Sequence, residues 1–363
     1  LNISSFLKLS KYEDWLKEYI EEHPDYIVPT SRRNEMLSFL NQGLDDLCVS
    51  RTSFSWGVAI KENPKHVIYV WLDALTNYIT ALGYDTDHSE LFEKFWQDPE
   101  CEVIHILGAD ITRFHAIYWP MFLMGLGLRC PDREFIHGLL MMKDSKMSKS
   151  KGNVVDPYPL VEKYGVDALR YYLASEVNFG SDGNFTPEQF VERINTDLAN
   201  ALGNLLNRTV SMINKYFDGV VPIYKGRIND VDGNLEDLTK LTIESYERLM
   251  DDLKITDAIS QVNELVARAN KYIDETEPWA LAKDEAKRAN LESVMLHLTN
   301  SIYVAGMLLK PVLVNASDKL FDQLGVTGDL LKYENIYKYG VTGGLKVEKK
   351  DMLIKTHIDL YKI

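Results

Sequence analysis

Three lysines, Lys146, Lys149 and Lys151, stand among Met147, Ser148 and Ser150, and the stretch closes on Gly152-Asn153. A compact ammonium on a flexible stem can follow a polyphosphate whose charge moves during a reaction, so a mobile loop of this kind suits phosphate chemistry. A solvated surface turn has the same composition. A second group consists of Trp71, Ala74 and Tyr78, at i, i+3 and i+7, with Ile111, His115 and Trp119, at i, i+4 and i+8. If both segments are helical, each trio shares one face. Two such faces can enclose one side chain, and aromatic rings beside a small alanine and an imidazole suit a polarizable thioether, at roughly 0.3–1.5 kcal/mol per sulfur–aromatic contact. On spacing alone, an ordinary aromatic core with a hydrogen-bonded His115 is the simpler reading. A third group pairs Asn204 with Arg208 at i, i+4, an amide and a guanidinium able to read the edges of unstacked bases. Trp279, after Pro278, offers a flat ring on which a base can stack. A surface polar pair and a core-anchoring tryptophan are the alternatives.

The elements that must hold these residues follow from periodicity. Residues 1 to about 50 are charged and helix-prone, with Tyr12, Trp15, Leu16, Tyr19 and Ile20 on one stripe before Pro24, as in a docking segment. Val67 to Val70 reads as a strand of the buried parallel kind feeding a helix, and Val103 to Leu107, Gly108 and a helix opened by Asp110 repeat that order. A third apolar stretch, "REFIHGLLMMKD", leads into the lysine loop, and Pro157 opens a helix after it. Strand–helix units in series imply a parallel sheet with helices on its faces. From about residue 187 long amphipathic helices take over, with Leu198, Leu202, Leu205, Val210, Ile213 and Phe217 keeping one stripe, and 254–277 and 284–309 doing likewise. Gly219 to Asp237 reads as a polar loop and Gly340 to Lys350 as an exit linker.

Bulk properties narrow the classes. The 363 residues are 45% hydrophobic, enough for two or three domains with real cores. The formal net charge of -14 argues against a non-specific DNA binder, which needs a basic face, but leaves a selective RNA partner open. Cys48, Cys101 and Cys130 show neither disulfide nor zinc spacing, so a reducing, cytoplasmic setting is expected, with no metal held by side chains. No apolar run has the roughly 18 residues of a membrane span.

The stretch "KMSKS" at 146–150 matches the signature loop of class I aminoacyl-tRNA synthetases. With "YVWLDALTNYI" (69–79), "RFHAIYWP" (113–120), "DALRYYLASE" (167–176) and "ALGNLLNR" (201–208), nearly the whole chain resembles the methionyl-tRNA synthetase family. The resemblance implies a Rossmann-like α/β nucleotide-binding domain, present as its second half with parallel strands, followed by an all-α anticodon-binding helix bundle. It implies that 1–50 is the end of a connective insertion, 51–140 the second half of the catalytic domain, 141–185 the lysine loop and stem-contact region, 186–345 the bundle and 346–363 a tail.

The activity implied is ATP-dependent activation of methionine and its transfer to tRNA(Met) with a CAU anticodon. Lys146 and Lys149 would stabilise charge on the phosphates. Gly108, Asp110, His137 and Gly138, with Met147, Ser148, Lys149, Ser150 and Lys151, would bind ATP, which brings Mg²⁺. Asp110 as a helix N-cap and His137 as a buried strand-end residue are the structural alternatives. Trp71, Ala74, Leu75, Tyr78, Ile111, His115 and Trp119 would form the methionine pocket, and Asn204, Arg208, Pro278 and Trp279 would meet the anticodon. Ala109 stands where the family more often has lysine. The family's His-x-Gly-His element and early strands have no counterpart, so the chain reads as the C-terminal two-thirds of the enzyme, needing its missing N-terminal half as a partner. The competing reading is a non-catalytic tRNA-binding fragment.

Overall fold

The computed structural model describes residues 6–53, 55–61, 63–142, 145–146, 154–351 and 353–354, which fall into two compact units. The first unit comprises residues 1–139 with 180–182, the second 140–179 with 183–363.

The first unit is built on a three-stranded parallel sheet in which Arg133–His137 lies between Ile27–Val28 and Ile104–Gly108. The alternation expected of a strand holds along Ile104–Gly108: His105 and Leu107 are buried, while Ile104 and Ile106 are exposed. The segment read as docking helices supplies helices Glu13–Glu22 and Thr30–Leu40, but it also supplies the outer strand Ile27–Val28. That strand is too short to show period-2 alternation, so only its burial against the sheet identifies it.

The run Val67–Val70 does not form a parallel strand. Asn63–Ile68 pairs antiparallel with both Ser50–Arg51 and Ala59–Ile60, and Val70 already belongs to helix Val70–Thr80. Only two residues separate Ile60 from Asn63, a hairpin length that antiparallel strands alone can use. Helix Val70–Thr80 buries Leu75 and Ile79, one turn apart, in a core with Phe92, Trp96, Trp119, Phe122 and Leu123. Burial of each such side chain contributes about 1.5–3 kcal/mol.

After Gly108 the chain makes a 3-10 turn, Ala109–Ile111, a wide π turn, Phe114–Tyr118, and helix Trp119–Leu126, which ends at Gly127 in the left-handed region (φ 70°). Pro120 has no N–H, and its ring crowds the carbonyl four residues back, so regular α winding cannot run through this point; the widened turn sits there. The turn matters because His115 lies in it.

The second unit opens with strand Leu140–Met142, flanked by Ser145–Lys146 (antiparallel) and Gly183–Phe185 (parallel). Helices follow. Pro187–Arg193 runs through a π segment, Ile194–Gly203, into Asn204–Phe217, keeping Leu198, Leu202, Leu205, Val210 and Ile213 in the core. Asp232–Asp251 and Ile255–Thr276 pack around Arg288–Leu309, which is buried on every side from Ser293 to Leu309 and is therefore the central helix of the bundle.

In this second unit, two further segments differ from what the sequence suggests. The loop after Gly219 ends at Val231, because the Asp232 carboxylate accepts from the N–H groups of Ile228 and Asn229 and starts the helix. The expected exit linker packs back on the bundle: Val221 N–H donates to Leu345 O, Gly344 N–H to Val221 O and Val347 N–H to Gly219 O, with Thr342 and Val347 buried. Its glycines hid three apolar anchors, Val341, Leu345 and Val347, from a reading based on composition.

Candidate functional site

In the first unit, helix Val70–Thr80 and the π turn bring one aromatic group together. The Tyr78 hydroxyl lies 2.8 Å from His115 Nε2, and His115 Nδ1 lies 3.0 Å from Ile111 O. A carbonyl can only accept, so Nδ1 carries the proton and donates; Nε2 then presents its lone pair and accepts from Tyr78. Burial pushes the His115 imidazole below its ordinary 6.5, against the opposing bond to Ile111, so it is a neutral group with a fixed tautomer. Trp71 closes one side, its ring 6.3 Å from His115 and nearly perpendicular to it. Trp119 closes another, 6.0 Å from Tyr78, and its buried Nε1 has no hydrogen-bond partner among the described residues.

The two sequence trios thus meet at Trp71, Tyr78, Ile111, His115 and Trp119. Leu75 faces the core with Ile79 and Phe92, and Ala74 lies on the exposed side of its helix. Two residues that spacing did not single out belong to the group. Phe114 stacks on Trp71 with ring centroids 3.7 Å apart, and His105 lies 4.3 Å from the Tyr78 ring. The π turn moves Phe114 off the i, i+4 stripe, and His105 arrives from a strand, so helical spacing signals neither. Tyr78 and His105 also line a cleft of about 430 Å³ with Leu82, Trp96, Val103 and Ile106.

A second cluster forms where two adjacent parallel strands end, since Gly108 and His137 are register partners. A Cβ on Gly108 would stand 2.8 Å from Asp110 Oδ1 and 3.4 Å from His137 Cε1, so glycine is what lets these two groups converge. Asp110 is not an N-cap: it lies inside the 3-10 turn, exposed, and no side chain caps that turn. His137 is exposed as well, its Nδ1–H donating to Gly138 O at 2.8 Å. A Cβ on Gly138 would lie 1.9 Å from Ser181 O, so this glycine serves close backbone packing. A carboxylate and an imidazole at the carboxyl ends of parallel strands occupy the usual ligand position of open α/β sheets.

In the second unit the backbone of Lys146 pairs with Met141; Met147, Ser148, Lys149, Ser150 and Lys151 lie outside the described residues. Beyond the loop, Asp156 caps helix Pro157–Tyr164 by accepting from Tyr158 N–H. In the bundle, Asn204 is exposed at the start of its helix, and Arg208, one turn on, reaches Asp274 on helix Ile255–Thr276 at 3.1 Å. That ion pair is solvent-facing, hence weak and easily exchanged. Pro278 is buried as the first residue of a short helix set off by Glu277 (φ 43°), which leaves Trp279 44% exposed.

A family model described as tRNA synthetases class I (M) matches residues 2–210, and one described as the anticodon binding domain of methionyl tRNA ligase matches 223–339. The chain belongs to the methionyl branch of the class I tRNA synthetases. It is 54% identical to the methionine–tRNA ligase of Bacillus subtilis over 96% of its own length and 52% of that protein. With the Listeria monocytogenes enzyme it shares 53% identity over 98% of its length and 54% of the relative. The chain thus spans about half the length of the curated relatives it matches. A crystal structure of Mycobacterium tuberculosis methionyl-tRNA synthetase bound by methionyl-adenylate superimposes with a TM-score of 0.90 at 41% identity, over 96% of this chain and 68% of that one. The free-state structure of that enzyme gives 0.89 at 38% identity.

Proposed function

We propose that this chain carries the methionine-selecting and anticodon-reading parts of a methionine–tRNA ligase. The observation that carries the reading is the hydrogen-bonded Tyr78–His115 pair, a half-exposed phenol on a buried neutral imidazole beside Trp71 and Trp119, in a chain similar over nearly all its length to an enzyme solved with methionyl-adenylate. Trp71, Tyr78, Ile111, His115 and Trp119 hold the methionine side chain, with Ala74 and Leu75 completing the helix behind it. A neutral imidazole selects a thioether without presenting a charge that an apolar side chain would have to desolvate.

In the activation step the methionine carboxylate attacks the α-phosphate of ATP and pyrophosphate leaves. No protein nucleophile is needed, so the protein's work is positioning and electrostatics. Gly108, Asp110, His137 and Gly138 border the nucleoside, Lys146 and Lys149 offset the charge that develops on the phosphates, and Met147, Ser148, Ser150 and Lys151 complete that loop. Lys146 and Lys149 would share this work with the Mg²⁺ that accompanies ATP, whose contribution when bound would be charge neutralisation. Asn204 and Arg208 read base edges and Trp279, on its Pro278 support, stacks a base of a CAU anticodon. The regions expected from the sequence, residues 51–140 for catalysis, 141–185 for the loop and stem contact and 186–345 for the anticodon, fit these roles, in the cytoplasm. Residues 1–50 act as the end of a connective insertion, whereas in the stretch expected as a tail, 346–363, Val347 and Leu353 are buried in the bundle core.

The competing reading is a tRNA-binding fragment that activates methionine only together with the remainder of a ligase, which similarity to relatives named methionine–tRNA ligases does not favour. Methionine-dependent pyrophosphate exchange decides between them. Exchange by this chain alone supports the first; tRNA(Met) binding without exchange, with activity restored by the complementary part of a homologous ligase, supports the second. Absence of both activities, even after complementation, contradicts both.

A further inference from the structure

Glu134 is wholly buried on the middle strand of the parallel sheet, and its register partner on the next strand is His105. Their side chains face each other with Oε1 3.7 Å from Nδ1, beyond hydrogen-bond reach. Nδ1 and both carboxyl oxygens have no hydrogen-bond partner among the described residues. Among the described residues, the titratable groups that feel the carboxyl are Tyr19, Tyr26, Tyr78, Cys130 and His105. None of these is a cation at neutral pH, since burial, helped by the neighbouring His115, takes His105 down to about 4. An ionised carboxylate here would be a buried charge with nothing to offset it, which costs several kcal/mol; a carboxylic acid avoids that cost and gains a donor. Burial acts in the same direction, raising Glu134 well above its usual range.

His105 is also the ring against Tyr78, at 4.3 Å, and it stands 6.0 Å from His115. Glu134, His105, Tyr78 and His115 therefore form one contiguous line from the sheet interior to the aromatic pocket. We propose that Glu134 is a positioning residue of that pocket: as a neutral acid it donates to His105 Nδ1, seats the His105 ring on Tyr78, and so aims the Tyr78 hydroxyl at His115 Nε2. Closing the remaining ~1 Å takes a side-chain rotation within one rotamer well. Its bearing on methionine rests on the functional reading above, but the contact itself does not.

The test compares the wild-type chain with Glu134→Gln and Glu134→Leu, reading ring ¹⁵N shifts of His105 and His115, methionine Kd and Tm. Wild type and Glu134→Gln should both show His105 Nδ1 as a hydrogen-bonded acceptor, because an amide donates as the acid does. Glu134→Leu should lose that signature, weaken the bond at His115 Nε2 and raise the methionine Kd roughly three- to tenfold, the effect of about one neutral hydrogen bond. Its Tm should hold or rise, since an apolar group replaces an unpaired buried acid, an outcome a merely structural role for Glu134 would not combine with weaker binding. Unchanged His105 and His115 shifts in Glu134→Leu would overturn the proposal, as would a Glu134→Gln variant impaired as much as Glu134→Leu. If the shifts move as expected and no form binds methionine, the positioning contact stands and the methionine reading falls.

Discussion

Removing the Tyr78 hydroxyl would strip His115 Nε2 of its donor while leaving the ring against His105. Tyr78→Phe should weaken methionine binding by roughly three- to tenfold, in line with one neutral hydrogen bond, and calorimetry on the folded variant checks it. The pH dependence follows from the direction of the His115 shift. Burial lowers its imidazole below 6.5, so the neutral, accepting form predominates at 6.5 and is lost as pH falls through the lowered value. The midpoint of any acid loss of methionine affinity should therefore lie below 6.5; a transition centred at or above 6.5 would show that His115 is not desolvated as described. At the strand ends, Gly108→Ala places a methyl 2.8 Å from Asp110 Oδ1 and should weaken ATP binding while leaving methionine affinity intact. Much of this site was legible residue by residue: Trp71, Tyr78, Ile111, His115 and Trp119 sit at helical spacing and converge. Phe114, His105 and Glu134 were not, because a π turn breaks the stripe for the first and the other two act across a sheet whose register no single strand reveals.

At the scale of elements, the loop before helix Asp232–Asp251 and the helices around it are joined at one carboxylate. Asp232 accepts from Ile228 and Asn229 N–H, from Tyr272 Oη at 2.5 Å and from Ser293 Oγ at 2.6 Å. Burial alone would raise its pKa, but the hydrogen bonds from Ser293, Tyr272 and the two backbone groups outweigh it and hold the carboxyl below its ordinary 3.8. A carboxyl depressed on folding contributes stability that is fully present above the unfolded value and is lost as pH falls through the folded one. The bundle should thus lose stability below about pH 4 in wild type, and Asp232→Ala, which orphans several buried donors, should cost about 2–4 kcal/mol in urea titrations at neutral pH and flatten that acid limb. The long helices were readable from their apolar period. The packed return of Val341 to Val347 was not, since it is held by backbone bonds to Gly219 and Val221 that carry no side-chain signal.

At the scale of a whole compact unit, exposed apolar surface governs association. The first unit leaves Ile104 and Ile106 exposed on an outer strand, Ile106 by 64%, and Trp56 more so. Exposed apolar side chains on a strand that, among the described residues, is paired along only one side invite association. Sedimentation of this chain should show concentration-dependent self-association that Ile106→Lys reduces; an unaltered monomer at all concentrations would contradict this. The parallel sheet was foreseen from strand–helix order, yet Val67 misled, because an apolar run states burial and not which partner strand lies beside it.

Titration of L-methionine and L-leucine into the protein probes the pocket around Tyr78 and His115 without recourse to any other part of the chain. Saturable binding of methionine, with leucine at least tenfold weaker and the preference reduced in Tyr78→Phe, is the expected result. Equal binding of the two amino acids, or a preference that survives Tyr78→Phe unchanged, would contradict the assignment of a thioether to this site.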